Sequence, residues 1–456
     1  MGWNPKLGQS GKPHYIGIAE AIEADIEASI LKPGDRLPPQ RQLAERLGVD
    51  FTTVSRGYAE AQSRGLVDAH VGRGTFVRHT NALADLEPDE SRTLAKDLSM
   101  NMPPEPTDPA LLARMQDALS YVGTNLVALL RYQNAAGSEK DITAASTWIS
   151  QRGLIPKLER ICVVPGAHAA MTGIVSLICR PGDTILCERV TYPGLRTIAA
   201  HAGVRLVGVE IDDDGITPEA LTEAITDASP AALYLNPTLH NPTTLTIPNK
   251  RRLQIAEIIT QSNIPLIEDD AYGFIPADSP APLAASAPDL TWHIAGLAKC
   301  IGAGLRLAYV TAPSARRALE FAQIMRAQSV MPSPVSMALA THWIEDGTAD
   351  QIRRFLRTET AARQAIAARI LAGSTFKSHP HAFNIYLDLP DGITRADLMA
   401  RMTGHEIGIV PSDPFTIDEQ PGEHVRVCLG GPIDREQLTA ALERMSHALT
   451  PTAWLG

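Results

Sequence analysis

The first eighty residues alternate apolar and polar positions with the period of short helices. Isoleucines recur at every fourth position with acidic residues between them, a pattern that predicts an amphipathic helix with one buried stripe. These isoleucines are Ile18, Ile22, Ile26 and Ile30. The run Lys-Pro-Gly-Asp at residues 32–35 is expected to end this helix, because proline and glycine disfavour its continuation.

Two further helices are predicted on either side of a glycine turn. The first covers residues 40–47 and the second covers about residues 52–64. Two short helices joined by a three- or four-residue turn that contains glycine form a helix-turn-helix. Short apolar runs then flank residues 72–74, which predicts a β-hairpin with Arg73 at its tip, a wing suited to a minor groove.

Beyond residue 96, short apolar runs alternate with helical patterns. The runs that we predict as buried strands are 161–164, 184–187, 205–209, 231–235 and 266–268. The helices between them include residues 167–178 and a helix that Thr217 caps and Pro218 begins. Alternation at this spacing predicts an α/β fold with a mostly parallel sheet covered on both faces. In such sheets, ligands bind beyond the carboxyl ends of the strands.

Length and composition agree with this division. At 456 residues the chain exceeds one ordinary hydrophobic core. We predict an N-terminal domain at 1–79, a polar, acidic linker at 80–95, and a large domain at 96–456. No window approaches eighteen uninterrupted apolar residues and no signal peptide is recognisable, so we expect a cytoplasmic protein. Five scattered cysteines without a C-x-x-C pair favour free thiols and no metal site.

Charge is distributed unevenly along the chain. The net charge is −10, yet residues 36–80 hold seven arginines against four acidic residues. A locally basic module on an acidic protein suits contact with a polyanion. At the start of the third helix, side chains are expected to reach base edges while backbone N–H groups face phosphate. These side chains are Thr52, Thr53, Ser55 and Arg56. The pattern alone leaves open a small helical domain used for dimerisation or packing.

The large domain carries a lysine in unusual surroundings. Lys299 lies between an apolar strand end and a glycine-rich turn, and Arg306 follows seven residues later. A lysine amine in this arrangement can form a Schiff base with an aldehyde cofactor, and a nearby arginine can bind the cofactor's phosphate. Taken alone, such a lysine is more often solvated surface.

Other strand ends carry the groups that a pyridine aldehyde phosphate needs. Asp269 follows an apolar strand and can keep a ring nitrogen protonated, while Tyr272 and Asn241 can bond a ring oxygen. The helix that starts at Ala167 and His168 offers free N–H groups to a phosphate. Each feature also has an ordinary reading, as a helix cap, a turn or a helix start. Their occurrence together and in this order favours a cofactor site.

Residues 15–78 resemble the winged helix-turn-helix of the GntR regulators. The resemblance is carried by the runs at 33–38, 40–44, 53–58 and 72–77. It implies that Arg41, the start of the second helix of the motif and the wing tip at Arg73 contact operator DNA. Asp50 and Phe51 stand where a basic residue is common, which leaves the base preference open.

Residues 97–449 resemble fold type I aminotransferases, which implies pyridoxal 5'-phosphate as the cofactor. Matched residue by residue, the resemblance assigns the Schiff-base lysine to Lys299, the pyridinium partner to Asp269, the phenolic-oxygen ligands to Asn241 and Tyr272, and the phosphate ligands to Arg306, Ala167 and His168. It also implies that Tyr192 stacks on the ring, that Tyr132 reaches the phosphate of the neighbouring subunit, and that Arg426 clamps an effector carboxylate bidentately.

The resemblance has departures near the lysine. Many relatives have hydroxyl residues where this chain has Gly296 and Ala298, so one phosphate hydrogen bond is missing. His168 replaces a more usual polar amide, and Thr244 replaces a glycine. Cofactor binding is expected to survive these losses, and we predict no steady turnover.

The fusion of the two modules is identified as that of the MocR-type bacterial regulators. The resemblance implies a pyridoxal-phosphate-dependent transcriptional regulator that senses an amine or amino-acid-like effector by transaldimination at Lys299. It also implies a head-to-tail homodimer that binds double-stranded promoter DNA. Taurine, GABA, D-alanine, ectoine-derived amino acids and pyridoxal phosphate itself are effectors within the family, and the sequence chooses none of them. Two alternatives remain: a working aminotransferase with an accessory N-terminal module, and a cofactor-free dimerisation scaffold.

Overall fold

The protein divides into two compact units, residues 1–95 and 96–456, in a computed structural model. The structure describes residues 3–5, 13–28, 30–32, 34–70, 74–77, 99–404, 407–417 and 420–450. The predicted linker at 80–95 and the wing-tip residue Arg73 lie outside the described residues. No helix within these ranges is long and apolar enough to cross a membrane.

The described residues of the N-terminal unit form three helices and a two-stranded antiparallel hairpin. They are α1 (His14–Glu27), α2 (Gln40–Leu47), α3 (Phe51–Ser63), β1 (Val67–His70) and β2 (Gly74–Val77). Gly48 ends α2 with a left-handed φ of 66°, which turns the chain into α3. Ile18, Val54 and Tyr58 are buried in the small core that joins these elements. The predicted winged helix-turn-helix is confirmed.

The first helix is shorter than its isoleucine pattern predicts. It ends at Glu27, and Ile30, which was expected in the buried stripe, is 63 % exposed. The chain leaves the helix at Ala28, and the backbone N–H groups of Ile30 and Leu31 both donate to the Asp25 carbonyl. This tight turn carries Leu31 into the core instead, where it is 4 % exposed.

The large unit is built on a seven-stranded sheet with the strand order β3-β11-β10-β9-β8-β4-β5. These strands are β3 (Ile161–Val164), β4 (Thr184–Glu188), β5 (Arg205–Val209), β8 (Ala232–Leu235), β9 (Leu266–Asp269), β10 (Thr291–Gly296) and β11 (Ala308–Thr311). All neighbours are parallel except β11, which is antiparallel to both β10 and β3. The strands β6 (Ile211–Asp212) and β7 (Gly215–Ile216) pair with each other in a separate antiparallel hairpin.

Helices accompany the strands along the chain of this unit. They are α4 (Pro109–Gly123), α5 (Leu126–Leu129), α6 (Glu139–Ser150), α7 (Ala167–Ile178), α8 (Pro193–Ala202), α9 (Pro218–Ala228), α10 (Asn249–Gln261), α11 (Ala315–Ser329), α12 (Pro334–Glu345) and α13 (Thr348–Ile370). Successive residues of β10 pack on opposite faces of the sheet, since Ile294 lies in one apolar cluster and Ala295 in another. Both faces of the sheet are therefore covered, which confirms the predicted α/β architecture.

A second sheet follows the large one and was not predicted. Its four antiparallel strands have the order β12-β13-β15-β14. They are β12 (Phe376–Lys377), β13 (Asn384–Asp388), β14 (Ile409–Pro411) and β15 (His424–Cys428), with α14 (Arg395–Arg401) and α15 (Arg435–Ala448) following β13 and β15 along the chain. Because β15 pairs on both sides, its central residue Arg426 sits inside the sheet rather than at an edge.

Candidate functional site

The parallel strands bring the predicted cofactor residues to one edge of the large sheet. Ile294 of β10 lies opposite Asp269, the last residue of β9, and Lys299 follows three residues after β10 ends. A Cβ built on Gly296 would be 3.5 Å from the Cβ of Ala167, the first residue of α7. The carboxylate, the lysine and the start of α7 therefore lie beyond the same strand ends, where such sheets bind ligands.

Asp269 is a buried carboxylate with one oxygen free. Its Oδ2 accepts a hydrogen bond of 3.0 Å from the Tyr234 hydroxyl, and its Oδ1 has no hydrogen-bond partner among the described residues. Burial raises the pKa of Asp269 to about 6, while the Tyr234 hydrogen bond and the Lys299 charge act to lower it. A buried acceptor without a partner is costly, so this oxygen suits a donor such as a protonated ring nitrogen.

Lys299 is half-buried, and its amine is tuned for nucleophilic chemistry. Its Nζ donates to the backbone carbonyl of Asn101. Burial lowers the pKa of Lys299 to about 8, and the positive charge of Arg426 contributes to that lowering. The neutral amine, which is the form that attacks an aldehyde carbon, is therefore more populated near neutral pH than it is for an ordinary lysine.

Arg426 is 5 % exposed and therefore not a solvated surface residue. Its Nη1 donates to Asn241 Oδ1 at 2.9 Å, and its Nη2 donates to the Ser99 carbonyl. The guanidinium also lies 5.1 Å from the centre of the Phe415 ring. Its Nε has no hydrogen-bond partner within the described ranges. This geometry leaves donor capacity for an anion such as a carboxylate.

Tyr272 is held by an asparagine that sequence reasoning missed. The Tyr272 hydroxyl accepts a hydrogen bond of 3.0 Å from Asn101 Nδ2, and the same amide donates to Asn384 Oδ1 at 3.0 Å. Burial raises the pKa of Tyr272, so its hydroxyl stays protonated and can donate to a cofactor oxygen. Asn101 lies 171 residues away in the chain, and no local motif marks it.

Asn241 lies in a loop that Asn236 ties to the sheet. The backbone N–H of Asn241 donates to Asn236 Oδ1 at 2.9 Å, and Asn236 Nδ2 donates to the Asp269 carbonyl at 2.7 Å. The Asn241–Pro242 peptide bond is cis. The Asn236 N–H donates in turn to Glu188 Oε1 at 3.0 Å, and burial raises the pKa of Glu188 to about 8. Sequence reasoning assigned no role to Asn236, Glu188 or Tyr234.

The start of α7 offers a site for a phosphate. Gly166 precedes it with a φ of 98°, and a Cβ built there would be 3.0 Å from Arg306 Nη2. The Arg306 guanidinium therefore lies over the helix N-terminus, where Ala167 opens the first turn. His168 follows, and partial burial together with the Arg306 charge lowers its pKa. Free N–H groups and a guanidinium together suit a dianion.

The two remaining cofactor predictions differ in their surroundings. Tyr192 is half-buried, and a Cβ built on Gly194 would lie 2.3 Å from its ring, so only glycine lets the ring take this position. Burial raises the pKa of Tyr192, and the charge of Asp269 raises it further. Tyr132 is 86 % exposed on the surface of this chain. Its predicted contact needs a second subunit and stays a prediction.

The predicted DNA-binding residues lie on the helix-turn-helix. Arg41 is exposed on α2, and Thr52, Thr53, Ser55 and Arg56 occupy the first two turns of α3. The Arg56 guanidinium lies 4.4 Å from the centre of the Tyr15 ring, and that of Arg41 lies 5.9 Å from the Phe51 ring. These contacts position both cations at the surface of the module.

One expectation for this helix changes at Thr53. The backbone N–H groups at the start of α3 were expected to face phosphate, but the Thr53 N–H donates to Asp50 Oδ1 at 2.8 Å. The Thr52 and Thr53 hydroxyls also donate to the Asp50 carboxylate. An aspartate at the N-cap satisfies the helix end internally and places a negative charge where a phosphate would bind.

Known proteins support the class that these two units define. Residues 97–445 match the family described as aminotransferase class I and II, and residues 14–77 match the bacterial regulatory proteins of the gntR family. Since the first match spans most of the chain, the chain belongs to the aminotransferase class I and II family. With the gntR module in front of that domain, it has the architecture of a MocR-type regulator.

Individual known proteins match most of this chain. The chain is 28 % identical over 445 residues to the uncharacterized HTH-type transcriptional regulator YdeF of Bacillus subtilis, covering 97 % of this chain and 96 % of the relative. It is 25 % identical over 387 residues to the probable rhizopine catabolism regulatory protein MocR of Rhizobium meliloti, covering 78 % and 76 %. Among solved structures, LysN, an α-aminoadipate aminotransferase from Thermus thermophilus, superposes with a TM-score of 0.70 at 20 % identity over 80 % of this chain and 96 % of that chain.

This family membership implies pyridoxal phosphate, and the residues present fit it. The free Oδ1 of Asp269 suits a ring nitrogen, and the Tyr272 hydroxyl suits a ring oxygen. Arg306 over the start of α7 suits the phosphate, and Lys299 supplies the amine. The donor set therefore matches the cofactor's groups one for one.

Proposed function

We propose that this chain is a transcriptional regulator that binds promoter DNA through residues 14–77 and senses an amine or amino-acid-like effector in its large unit. One observation carries the proposal. Lys299 and Arg426 donate to the carbonyls of Asn101 and Ser99, two residues apart, so the lysine that would bind the cofactor aldehyde lies close to the arginine that would bind a carboxylate. When bound, pyridoxal phosphate supplies an aldehyde that condenses reversibly with primary amines.

Different residues of the site would bind different groups of the cofactor and the effector. Lys299 would hold the aldehyde carbon of the cofactor, and its lowered pKa keeps part of its amine in the neutral form that such a bond requires. Asp269 holds the ring nitrogen, and Arg306 with the start of α7 holds the phosphate. Arg426 selects effectors that also carry a carboxylate. Gly296 and Ala298 offer no hydroxyl to the phosphate, which agrees with sensing rather than steady turnover.

The regulator is proposed to act in the cytoplasm as a head-to-tail homodimer, since aminotransferase folds typically form dimers. Support comes from an exposed apolar stretch beside Tyr132. Val127 and Leu130 are each 73 % exposed, and Tyr132 is 86 % exposed. Covering this stretch with a second copy would bury apolar surface and bring Tyr132 toward the partner's phosphate site.

The first test follows the colour of the protein. Wild type supplied with pyridoxal phosphate is expected to show a visible absorption band that survives dialysis, because Lys299 holds the cofactor covalently. Lys299→Ala is expected to lose the band, while Lys377→Ala, a surface lysine paired with Asp213, keeps it. An unchanged band in Lys299→Ala would overturn the cofactor assignment.

The second test follows the DNA. Fluorescence anisotropy with a labelled promoter duplex measures affinity while primary amines and amino acids are added one at a time. An effector is expected to change the affinity in wild type and not in Lys299→Ala. Promoter binding that survives deletion of residues 1–80 would overturn the helix-turn-helix assignment. Steady multiple-turnover transamination without promoter binding would favour the enzyme alternative.

A further inference from the structure

We propose that the start of α3 reads A·T base pairs, with Phe51 contacting a thymine methyl group and the Thr52 and Thr53 oxygens accepting from an adenine amino group. This inference rests on the proposed DNA binding and adds the base preference that the sequence left open. It depends on which hydrogen-bonding groups in the first turn of α3 are not already bonded within the module.

Asp50 accepts hydrogen bonds from both threonine hydroxyls at the start of α3. Its carboxylate accepts from the Thr53 N–H at 2.8 Å, from the Thr53 hydroxyl at 2.7 Å, and from the Thr52 hydroxyl. These three bonds hold the pKa of Asp50 well below its usual range, so the group is ionised and can only accept. Each threonine hydroxyl has one hydrogen, and that hydrogen is committed. Thr52 and Thr53 can therefore present only lone pairs to a partner.

A hydroxyl oxygen that can only accept a hydrogen bond distinguishes between the bases by the groups that they present in the major groove. The donors there are the amino groups of adenine and cytosine, whereas guanine presents two acceptors. The Thr52 and Thr53 hydroxyls, which can only accept, are matched to adenine or cytosine and mismatched to guanine. The charge of Asp50 also repels phosphate, so this turn suits the groove floor rather than the backbone.

Phe51 decides between adenine and cytosine. It is the first residue of α3 and is 47 % exposed, although aromatic side chains usually bury. Apolar side chains in the major groove read the thymine methyl, which belongs to the A·T pair. The methyl contact and the amino contact therefore point to the same base pair.

Two arginines line the same surface as this aromatic side chain. Arg36 and Arg41 line the same surface cavity of about 300 Å³ as Phe51. The Arg41 guanidinium lies 5.9 Å from the Phe51 ring centre. Two arginines flanking an exposed ring complement a duplex, because they can meet phosphates while the ring enters the groove.

The experiment uses full-length protein loaded with pyridoxal phosphate and DNA that it selects from a randomised duplex pool. Each thymine of the selected site is then replaced by deoxyuridine, which removes only the C5 methyl. We expect at least one position where affinity falls about four-fold, the value of one buried methyl. Phe51→Ala is expected to bind thymine and uracil forms equally, and Phe51→Leu is expected to keep the difference.

A second replacement tests the threonine oxygens. Exchanging an adenine of the same site for deoxynebularine, which lacks the amino group, is expected to weaken binding about two- to ten-fold. Gln62→Ala, at the exposed far end of α3, is the control and is expected to keep both discriminations.

The outcomes separate the two proposals. If the protein selects a site but binds thymine and uracil forms equally at every position, the base-reading inference is overturned and DNA binding stands. A selected site with only G·C pairs under α3 would overturn it as well. If no sequence is selected and no duplex is bound, the proposed function itself fails.

Discussion

The cofactor site and the DNA-binding face differ in how their polar groups are satisfied. In the large unit, Asp269 Oδ1 and Arg426 Nε are buried without hydrogen-bond partners among the described residues. On α3, the polar groups are exposed and Asp50 satisfies its two threonine neighbours. A buried atom without a partner is costly, so it specifies what a ligand must supply. An exposed group is already hydrated when its partner is absent, so losing a contact there is expected to cost less free energy than losing one in the buried site.

The largest expected effect is at the buried carboxylate. Asp269→Ala removes the charge that faces the ring nitrogen, and breaking such a buried pair costs about 3–5 kcal/mol. We therefore expect pyridoxal phosphate to bind at least about a hundred-fold more weakly, measured by equilibrium dialysis. Asp289→Ala, whose side chain is 90 % exposed, is the control. Equal affinity in the Asp269 variant would mean that the free Oδ1 does not specify the ligand.

Arg426→Ala tests the second buried group. Truncating one partner of a buried charge pair costs about 2–5 kcal/mol, so amino-acid effectors are expected to lose roughly 30-fold or more in affinity. Amines without a carboxylate are expected to bind as they do to wild type. Cofactor absorbance changes report both titrations, and Arg316→Ala, 86 % exposed, is the control. Equal losses for both kinds of amine would contradict a carboxylate clamp.

Glu188 gives a pH dependence of stability. Its pKa is raised to about 8 by burial, so the folded protein holds a proton that the unfolded chain releases above its ordinary pKa of 4.5. The contribution of Glu188 to the free energy of unfolding is therefore fully present below about pH 4.5 and is lost as the pH rises toward 8. Glu188→Gln is expected to flatten this slope, with a gain over wild type at pH 8 on the order of 1 kcal/mol or more.

Thermal melts of the apoprotein between pH 5 and 8 measure that slope. Glu210→Gln, whose side chain is 69 % exposed, is expected to follow wild type. A Glu188→Gln variant with the same pH profile as wild type would show that this carboxyl is ionised in the folded state.

The smallest expected effect is on the exposed face. Arg56→Ala removes one cation that lies over Tyr15, so promoter affinity is expected to fall a few-fold. The slope of affinity against salt is expected to decrease by about one. Arg64→Ala, on an arginine already paired with Glu60 and Glu23, is expected to change neither. An unchanged salt slope in Arg56→Ala would remove this arginine from the interface.

Much of the fold and the residues at the centre of the cofactor site could be predicted from local sequence patterns. The strand ends at Asp269 and Lys299 could be predicted because apolar runs mark buried strands, and parallel strands end at one edge. Tyr234 and Asn101 could not, because their contacts cross 35 and 171 residues. The burial of Arg426 depends on strand pairing in a sheet that the pattern did not reveal.

In the N-terminal module, too, sequence patterns predicted the elements but not every contact between neighbouring residues. The helix-turn-helix follows from its period and its glycine turn, yet the four-residue repeat of isoleucines continues past the true end of α1. Ile30 keeps the spacing but lies outside the helix, since hydrogen bonds to Asp25 close the turn first. Likewise, only the structure shows that Asp50 consumes the hydroxyl hydrogens of its neighbours.

The carbonyls of Ser99 and Asn101 set a threshold for the effector. They accept from Arg426 and Lys299, the two groups that an incoming carboxylate and the cofactor would claim. We therefore expect these carbonyls to compete with the effector and the cofactor, so that the apparent dissociation constant rises as the fraction of chains with Arg426 and Lys299 released falls. In sequence, Ser99 stands four residues after the predicted linker. Strengthening or weakening these two bonds would shift the effector concentration at which the regulator responds, without altering any residue that recognises DNA.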